Sequence, residues 1–289
     1  MSSYQLRQVG SKYSKDFKLY LEKDSKPISF FHDVPMRPNK GDDYVFNMVV
    51  EIPRFSNAKA EIATKSELNP IKYDVKKDKV RFVKNQFPYK GYLWNYGAIP
   101  QTWEDPEYIN PDTKCKGDND PVDVCEIGTR VASIGEIKQV KLIGTLAMLD
   151  EGETDWKMLC IDINDPKANL INDIEDVETQ FPGLLNATLD WFKYYKVPDG
   201  KPKNKFAFNE KFLNKKYALS VINETHHHWS NLIKSKAPYD HLHTRNSTLH
   251  GTPHYKKDIS DIPNQDVKPD HPISKDVDDW YFINKNSKL

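Results

Sequence analysis

No C-x-x-C pair joins the three cysteines of this 289-residue chain, Cys115, Cys125 and Cys160, and their number is odd. That argues against a disulfide framework or a zinc ribbon and implies reduced thiols, hence a cytoplasmic setting. No run approaches the roughly 18 consecutive apolar residues of a membrane-spanning helix. The N-terminus, MSSYQLRQVGSKYSKDF, lacks the apolar segment expected of a secretory signal. An excess of one charge is missing too: Lys plus Arg and Asp plus Glu both total 42, so bulk charge indicates no nucleic-acid surface. The 12 glycines include no pair two or five apart, which rules out the G-x-G-x-x-G dinucleotide loop and the Walker A loop. Neither a G-x-S-x-G nucleophile elbow nor an H-E-x-x-H zinc helix occurs. His226, His227 and His228 are consecutive. On a helix they splay through about 200°, so they cannot chelate one ion together and are read as packing or surface residues.

What is present points to a β-rich α+β domain. Residues 17–22, 45–52, 80–84, 122–127, 137–149 and 156–163 are rich in β-branched and aromatic residues, the composition of strands. Turns are expected at Gly41-Asp42, Gly117-Asp118, Gly135 and Glu151-Gly152-Glu153, the last closing a hairpin. Helices are expected over 172–180, from 184 to 196 with apolar residues at 184, 185, 189 and 192, and over 215–235. Strands first and helices last suggest helices packed on a barrel or sheet. Residues 1–235 read as one domain. Residues 236–289 turn rich in Pro, His, Asp and Lys and read as an extended tail, its aromatic end Trp280-Tyr281-Phe282 docked on the body.

The chemistry concentrates in Gly-Asp-Asn-Asp-Pro-Val-Asp, residues 117–123. Asp118, Asp120 and Asp123 repel one another unless they point into water, take up protons or bind a cation. Pro121 blocks a regular helix through the segment, which must be a loop entering the strand 122–127. Its all-oxygen donors favour Mg²⁺, Mn²⁺ or Ca²⁺ over zinc. An EF-hand fails, because counting from Asp118 puts Asp123 at the glycine position and Thr129 at the glutamate position. Asp150 and Asp155 flank the hairpin turn, and convergence of the two loops would hold two or more hard cations. A phosphate site also needs cationic and phenolic residues: Lys59 and Glu61 share a face if their segment is a strand, Arg81 can grip phosphoryl oxygens with two bonds, Tyr92 and Tyr96 flank Leu93-Trp94-Asn95, and Tyr195-Lys196 closes the helix that starts at 184, each taken alone reading as a surface cation or half-buried tyrosine.

At this point the chain closely resembles the eukaryotic family I soluble inorganic pyrophosphatases. The family signature D-[SGDN]-D-[PE]-[LIVMF]-D is matched at every position by residues 118–123. Around it lie FNMVVEIPR, NAKAEI, NYGAIPQTWEDP, LDEGETDWK, FPGLL and YYKVPDGKP, and the resemblance covers roughly residues 4–235. It implies a five-stranded OB-like closed barrel with flanking helices, a homodimer, and hydrolysis of pyrophosphate to two phosphates with several Mg²⁺ per site, Mn²⁺ being an alternative. By position, Asp118, Asp123 and Asp155 would hold the tightest metal, and Glu61, Asp150 and Asp155 further ions. Asp120 would hold or deprotonate the attacking water. Arg81, Lys59, Tyr96, Tyr195 and Lys196 would contact phosphoryl oxygens, while Glu51, Tyr92 and Lys157 would line the cavity and tune its protons. Phe55 and Tyr89-Lys90 depart from the family pattern, and they bear on the dimer contact rather than on the chemistry.

The mechanism expected is in-line attack by metal-bound hydroxide without a phosphoenzyme, since no separate nucleophile motif occurs. An OB-fold nucleic-acid binder would need a basic groove where this sequence has carboxylates. A structural Ca²⁺ protein would explain the aspartates but not the cations beside them.

Overall fold

The computed structural model describes residues 4–38, 43–237, 239–259 and 262–283. The turn expected at Gly41-Asp42 lies outside them. Five strands organise the body: β1 (Val45–Ile52), β2 (Asn95–Ala98), β3 (Asp123–Glu126), β4 (Ile137–Asp150) and β5 (Glu153–Asp162). Their pairings return on themselves. β1 pairs antiparallel with β2 and β4, β2 with β3, and β4 with β5, while β3 and β5 close the ring in parallel.

These strands are apolar on both faces, because each face meets a different core. Met148, Leu159 and Ile161 pack on one side with Trp94, Trp191 and Phe192. Ala147, Met158 and Cys160 point the other way, onto Ala218, Val221 and Ile222 of α3 (Lys215–Lys234). The β4–β5 hairpin turns through Glu151 and Gly152, both at positive φ (50° and 97°), which is the twist a two-residue turn needs.

Strand β2 carries no β-branched residue and was not expected from composition. It exists because Gly97 lets two backbones meet: a Cβ there would lie 1.9 Å from the Val49 carbonyl oxygen. Strand Tyr4–Gly10 was also missed; it pairs with Lys18–Lys23 outside the ring. The strand expected over 80–84 shrinks to Lys79–Val80, one arm of a short hairpin with Val75–Lys76.

Helix α1 (Ile174–Gln180) starts at a capping box between Asp173 and Asp176. Helix α2 (Leu184–Tyr194) follows, but its fully buried face is Thr188, Trp191 and Phe192, with Leu184, Leu185 and Leu189 only half-buried beside it. The aromatic rings, being larger, take the core and rotate the helix onto them. Two of the three histidines of α3 serve packing, His226 stacked on Trp229 and His228 against Tyr108, while His227 is exposed. All three cysteines are free. Among the described residues no helix is long and apolar enough to cross a membrane.

Beyond residue 236 the chain does not simply trail away. Leu242, Asn246 and Ile262 are buried, and Asp266–Val267 adds a parallel strand to Tyr4–Gly10. The Asp33 carboxylate fastens this part, accepting from the backbone N–H of Ser247 and Thr248 and from the Thr248 hydroxyl at 2.6 Å. Farther on, Trp280–Tyr281 pairs with Asn85–Gln86. Side chains help to hold that end: Trp280 and Phe282, though 43% and 77% exposed, lie against the Phe87 ring, and Asn85 Nδ2 donates to the Val277 carbonyl at 2.9 Å.

Candidate active site

The fourteen residues singled out from the sequence, from Glu51 to Lys196, line one cavity of about 250 Å³. Glu51 sits near the end of β1, Tyr96 on β2 and Asp123 at the start of β3. Asp150 ends β4, Asp155 and Lys157 share one face of β5, and Tyr195 and Lys196 follow α2. Register decides who meets whom: Asp123 is paired with Lys157 across the parallel β3–β5 junction.

The basic side is held in place by acids. Arg81 pairs with Asp74 at 3.1 Å, Lys59 lies 3.5 Å from the same carboxylate, and Lys59 also donates to Glu61. Burial works against the Lys59 charge, but Glu61, Tyr92 and Asp74 outweigh it and keep its pKa above the ordinary value. Lys157 is fully enclosed and donates to Asp123, Asp155 and, at 2.9 Å, the Tyr96 hydroxyl. Burial again opposes its charge, and Asp123 and Asp155 win. Lys196 donates to Asp150. Burial pushes Tyr92 up to about 12 and raises Tyr96 and Tyr195 as well, so all three phenols remain protonated donors near neutral pH.

The acidic side is crowded. Burial, with Asp155 and Asp120 adding, raises Asp118 well above the carboxylate range. Burial pushes Asp155 up to about 7 against the opposing pull of Lys157. Enclosure and then Glu61 bring Asp120 to about 7 as well. Asp120 stays open to cavity water, so screening tempers its shift more than that of buried Asp155. Glu51 is raised by burial and by Asp123 while it fixes strand Ala60–Ile62, accepting from Ile62 N–H at 2.7 Å.

Two acids that sequence reasoning passed over belong to this constellation. Glu104 is buried, raised by burial and by Asp118, and accepts from the Trp156 N–H at 3.0 Å. Ligand atoms of Glu104, Asp118 and Asp155 lie within 4.8 Å of one another. Glu153 also lines the cavity. Nothing local separates Glu104 from its neighbour Asp105; only the fold turns it inward. Asp74, which positions Arg81 and Lys59, carries no sequence signal either.

These donors fit a hard divalent cation. All are oxygens, burial and mutual repulsion raise the pKa of Glu104, Asp118 and Asp155, and Glu104 Oε2 and Asp150 Oδ1 are buried acceptors without a hydrogen-bond partner. Opposite them stands a set of N–H and O–H donors suited to phosphoryl oxygens.

Comparison with known proteins agrees with that chemistry. Residues 48–230 match the family model described as inorganic pyrophosphatase. The chain is 56% identical over 283 residues to the inorganic pyrophosphatase of Kluyveromyces lactis, covering 97% of this chain and 98% of that one. It is 54% identical over 285 residues to that of Candida albicans, covering 98% and 99%. The solved inorganic pyrophosphatase of Schistosoma japonicum superposes with a TM-score of 0.90 at 46% identity, covering 97% of this chain and all of that one.

Proposed function

The chain belongs to the inorganic pyrophosphatase family and hydrolyses pyrophosphate to two phosphates, and we propose that it does so in the acidic cavity with several Mg²⁺ ions, Mn²⁺ being able to replace them. The observation that carries this reading is the division of one cavity into a carboxylate half and a donor half. The carboxylate half would hold the cations, and the donor half would bind the phosphoryl oxygens of the polyanionic substrate. Release of phosphate from pyrophosphate, measured colorimetrically with and without Mg²⁺, tests it; turnover that is unchanged in EDTA would overturn the metal requirement.

Asp118, Asp123 and Asp155 would hold the tightest ion, and Glu61, Asp150 and Asp155 those that accompany substrate. When bound, these ions neutralise charge on the phosphoryl oxygens and make a water more acidic. Asp120 orients that water and takes its proton. Lys59, Arg81, Tyr96, Tyr195 and Lys196 bind phosphoryl oxygens, with Arg81 and Lys59 aimed by Asp74. Tyr92, Glu51 and Lys157 set the proton balance around them. Among the described residues no Ser, Thr, Cys or His lines the cavity, and its aspartates are assigned to the cations and the attacking water, so the reading is direct attack by water rather than a phosphoenzyme.

The closed ring of five strands is read as an OB-like barrel whose face has been given to phosphate chemistry. Its carboxylates repel a nucleic-acid backbone, which weighs against a nucleic-acid partner. Residues 1–235 form the catalytic domain and 236–289 a tail that belts it. The three free cysteines support a cytoplasmic setting. A homodimer is the assembly expected, supported by exposed Phe55 and Phe87. Tyr89 is bonded to Asp190 and Lys90 to Asp278, so those two departures from the family pattern are engaged within the chain. Light scattering should give about twice the 33.6 kDa chain mass; a fully active monomer would remove the dimer.

A further inference from the structure

Asn85 is fully buried, and it is not among the residues that line the acidic cavity. Both ends of its side-chain amide are nevertheless engaged twice. The oxygen accepts from Asn57 Nδ2 at 2.7 Å and from the Gly91 N–H at 3.0 Å. The nitrogen donates to the Val277 carbonyl at 2.9 Å and, at 3.4 Å, to the Asp279 carbonyl. These partners fix which end is oxygen, because a backbone N–H only donates and a backbone carbonyl only accepts. One side chain thus joins three separate stretches of chain.

Two of those stretches carry the donor half of the cavity. Residues 57–59 lie antiparallel to 81–83: Lys59 N–H donates to the Arg81 carbonyl at 2.9 Å, and Val83 N–H to the Asn57 carbonyl at 2.8 Å. Asn57 Nδ2 also donates to the Val83 carbonyl at 2.9 Å, so its bond to Asn85 pins the pair of segments that presents Lys59 and Arg81. Gly91 precedes Tyr92, and its carbonyl accepts from Trp191 Nε1 at 2.8 Å. The Trp191 ring stacks on Tyr195, with centroids 4.9 Å apart and planes 7° from parallel, and lies 4.9 Å from the Tyr92 ring. Gln86, next along the chain, donates to the Trp191 carbonyl at 2.8 Å. The Asn85 oxygen is therefore the junction between the Lys59–Arg81 pair and the group formed by Tyr92, Trp191 and Tyr195.

We infer that Asn85 is a positioning residue for pyrophosphate binding: it sets the spacing between the two groups of phosphoryl donors without touching the substrate. The inference rests on the reading of those side chains as the substrate's donors. An apolar residue at 85 would leave the buried Gly91 N–H without this acceptor and Asn57 Nδ2 bonded to Val83 alone, and an unmet buried donor is costly enough to shift the backbone that carries it. The two tail carbonyls hold the amide so that its oxygen faces the body. The carboxylate half is fastened elsewhere, Glu104 by the Trp156 N–H, so a fault at Asn85 reaches the substrate and spares the cations.

Steady-state kinetics of the full chain at saturating Mg²⁺ test this, beside Mg²⁺ affinity of the substrate-free protein by calorimetry. Asn85→Ala should raise KM for pyrophosphate about three- to tenfold, the range of one or two lost hydrogen bonds. Its kcat and Mg²⁺ affinity should stay close to wild type, because a rise confined to KM marks lost substrate binding. Asn85→Asp keeps an oxygen for Asn57 and Gly91 and should restore most of the affinity. Asn57→Ala removes one of the two donors and should raise KM in the same direction. Combined with Asn85→Ala it should add less than the separate effects, and alone it carries the test if Asn85→Ala does not fold, as thermal midpoints will show. An unchanged KM in folded Asn85→Ala or, where that variant does not fold, in Asn57→Ala overturns the proposal. So does Mg²⁺ affinity falling in step with KM, or an equal KM rise in Asn85→Asp and Asn85→Ala. Arg81→Ala separates this from the wider reading. If it raises KM while Asn85→Ala does not, the proposal alone falls; if it too leaves KM unchanged, the donor assignment falls and the proposal with it.

Discussion

Replacing Asp155 by Asn in protein stripped of divalent ions isolates the cost of crowding carboxylates in the cavity. Asp155 is 8% exposed, and burial moves its pKa from 3.8 to about 7 despite Lys157. A carboxyl raised on folding adds stability that is complete below its unfolded pKa and disappears as pH rises through the folded value. Integrated from about pH 4.5 to about 7.5 at 1.36 kcal/mol per pKa unit, the loss is about 3 kcal/mol. Asn binds no titrating proton and escapes it. Urea unfolding of both proteins across that window should therefore show wild type falling by about 3 kcal/mol relative to Asp155→Asn. Saturating Mg²⁺, which favours the ionised carboxylate, should remove the trend from wild type. A difference that stays flat, or that grows in favour of wild type as pH rises, would refute the reasoning.

Glu104→Gln keeps an oxygen for the Trp156 N–H and removes the charge beside Asp118 and Asp155; Mg²⁺ affinity by calorimetry should fall about tenfold, and an unchanged affinity would take Glu104 out of the site. Asp120→Asn should lower kcat by about 10²–10⁴ with little change in Mg²⁺ affinity, whereas Asp118→Asn should weaken the tightest site and recover at high Mg²⁺; the opposite pattern would exchange their roles. Ca²⁺, larger and with more ligands, should compete with Mg²⁺ and inhibit, so full turnover with Ca²⁺ alone would contradict the assigned ion. Asp33→Ala should cost about 2–3 kcal/mol, because charged hydrogen bonds to Ser247 and Thr248 are lost together, and should open residues 236–259 to limited proteolysis; unchanged cleavage would show that Asp33 is not the fastener.

The parts of the fold legible in the sequence are those where local pattern and burial agree. Strands β1, β4 and β5 are long, the first two carry many β-branched residues and β5 is a nearly continuous buried run, and α3 keeps one apolar stripe. β2 was illegible because its reason to exist is a contact, Gly97 against the Val49 carbonyl, that composition does not carry. α2 was found with Phe192 on its expected apolar face, but the centre of that face lies at Trp191 and Phe192, which bury more surface than the half-buried leucines beside them. The tail was partly legible: its aromatic end does lie on the body, paired with Asn85–Gln86 and against Phe87, but the burial of Leu242, Asn246 and Ile262 before it carried no sequence signal.

Within the site, residue types were readable and partnerships were not. A local Asp-x-Asp-x-x-Asp loop and an acidic hairpin announce cation chemistry, because clustered carboxylates are unstable without an outlet. Whether they face the same space depends on register, and a slip of one residue between β3 and β5 would turn Lys157 to the opposite face of the sheet. The observed register sets Lys157 against Asp123 and leaves Asp155 two residues earlier on the same side. The Trp156 N–H of that same strand donates to Glu104. Glu104 is thus brought to Asp118 and Asp155 by a backbone bond from the strand that carries Asp155. The ring closure that joins β3 to β5 is what makes three distant segments one acidic site.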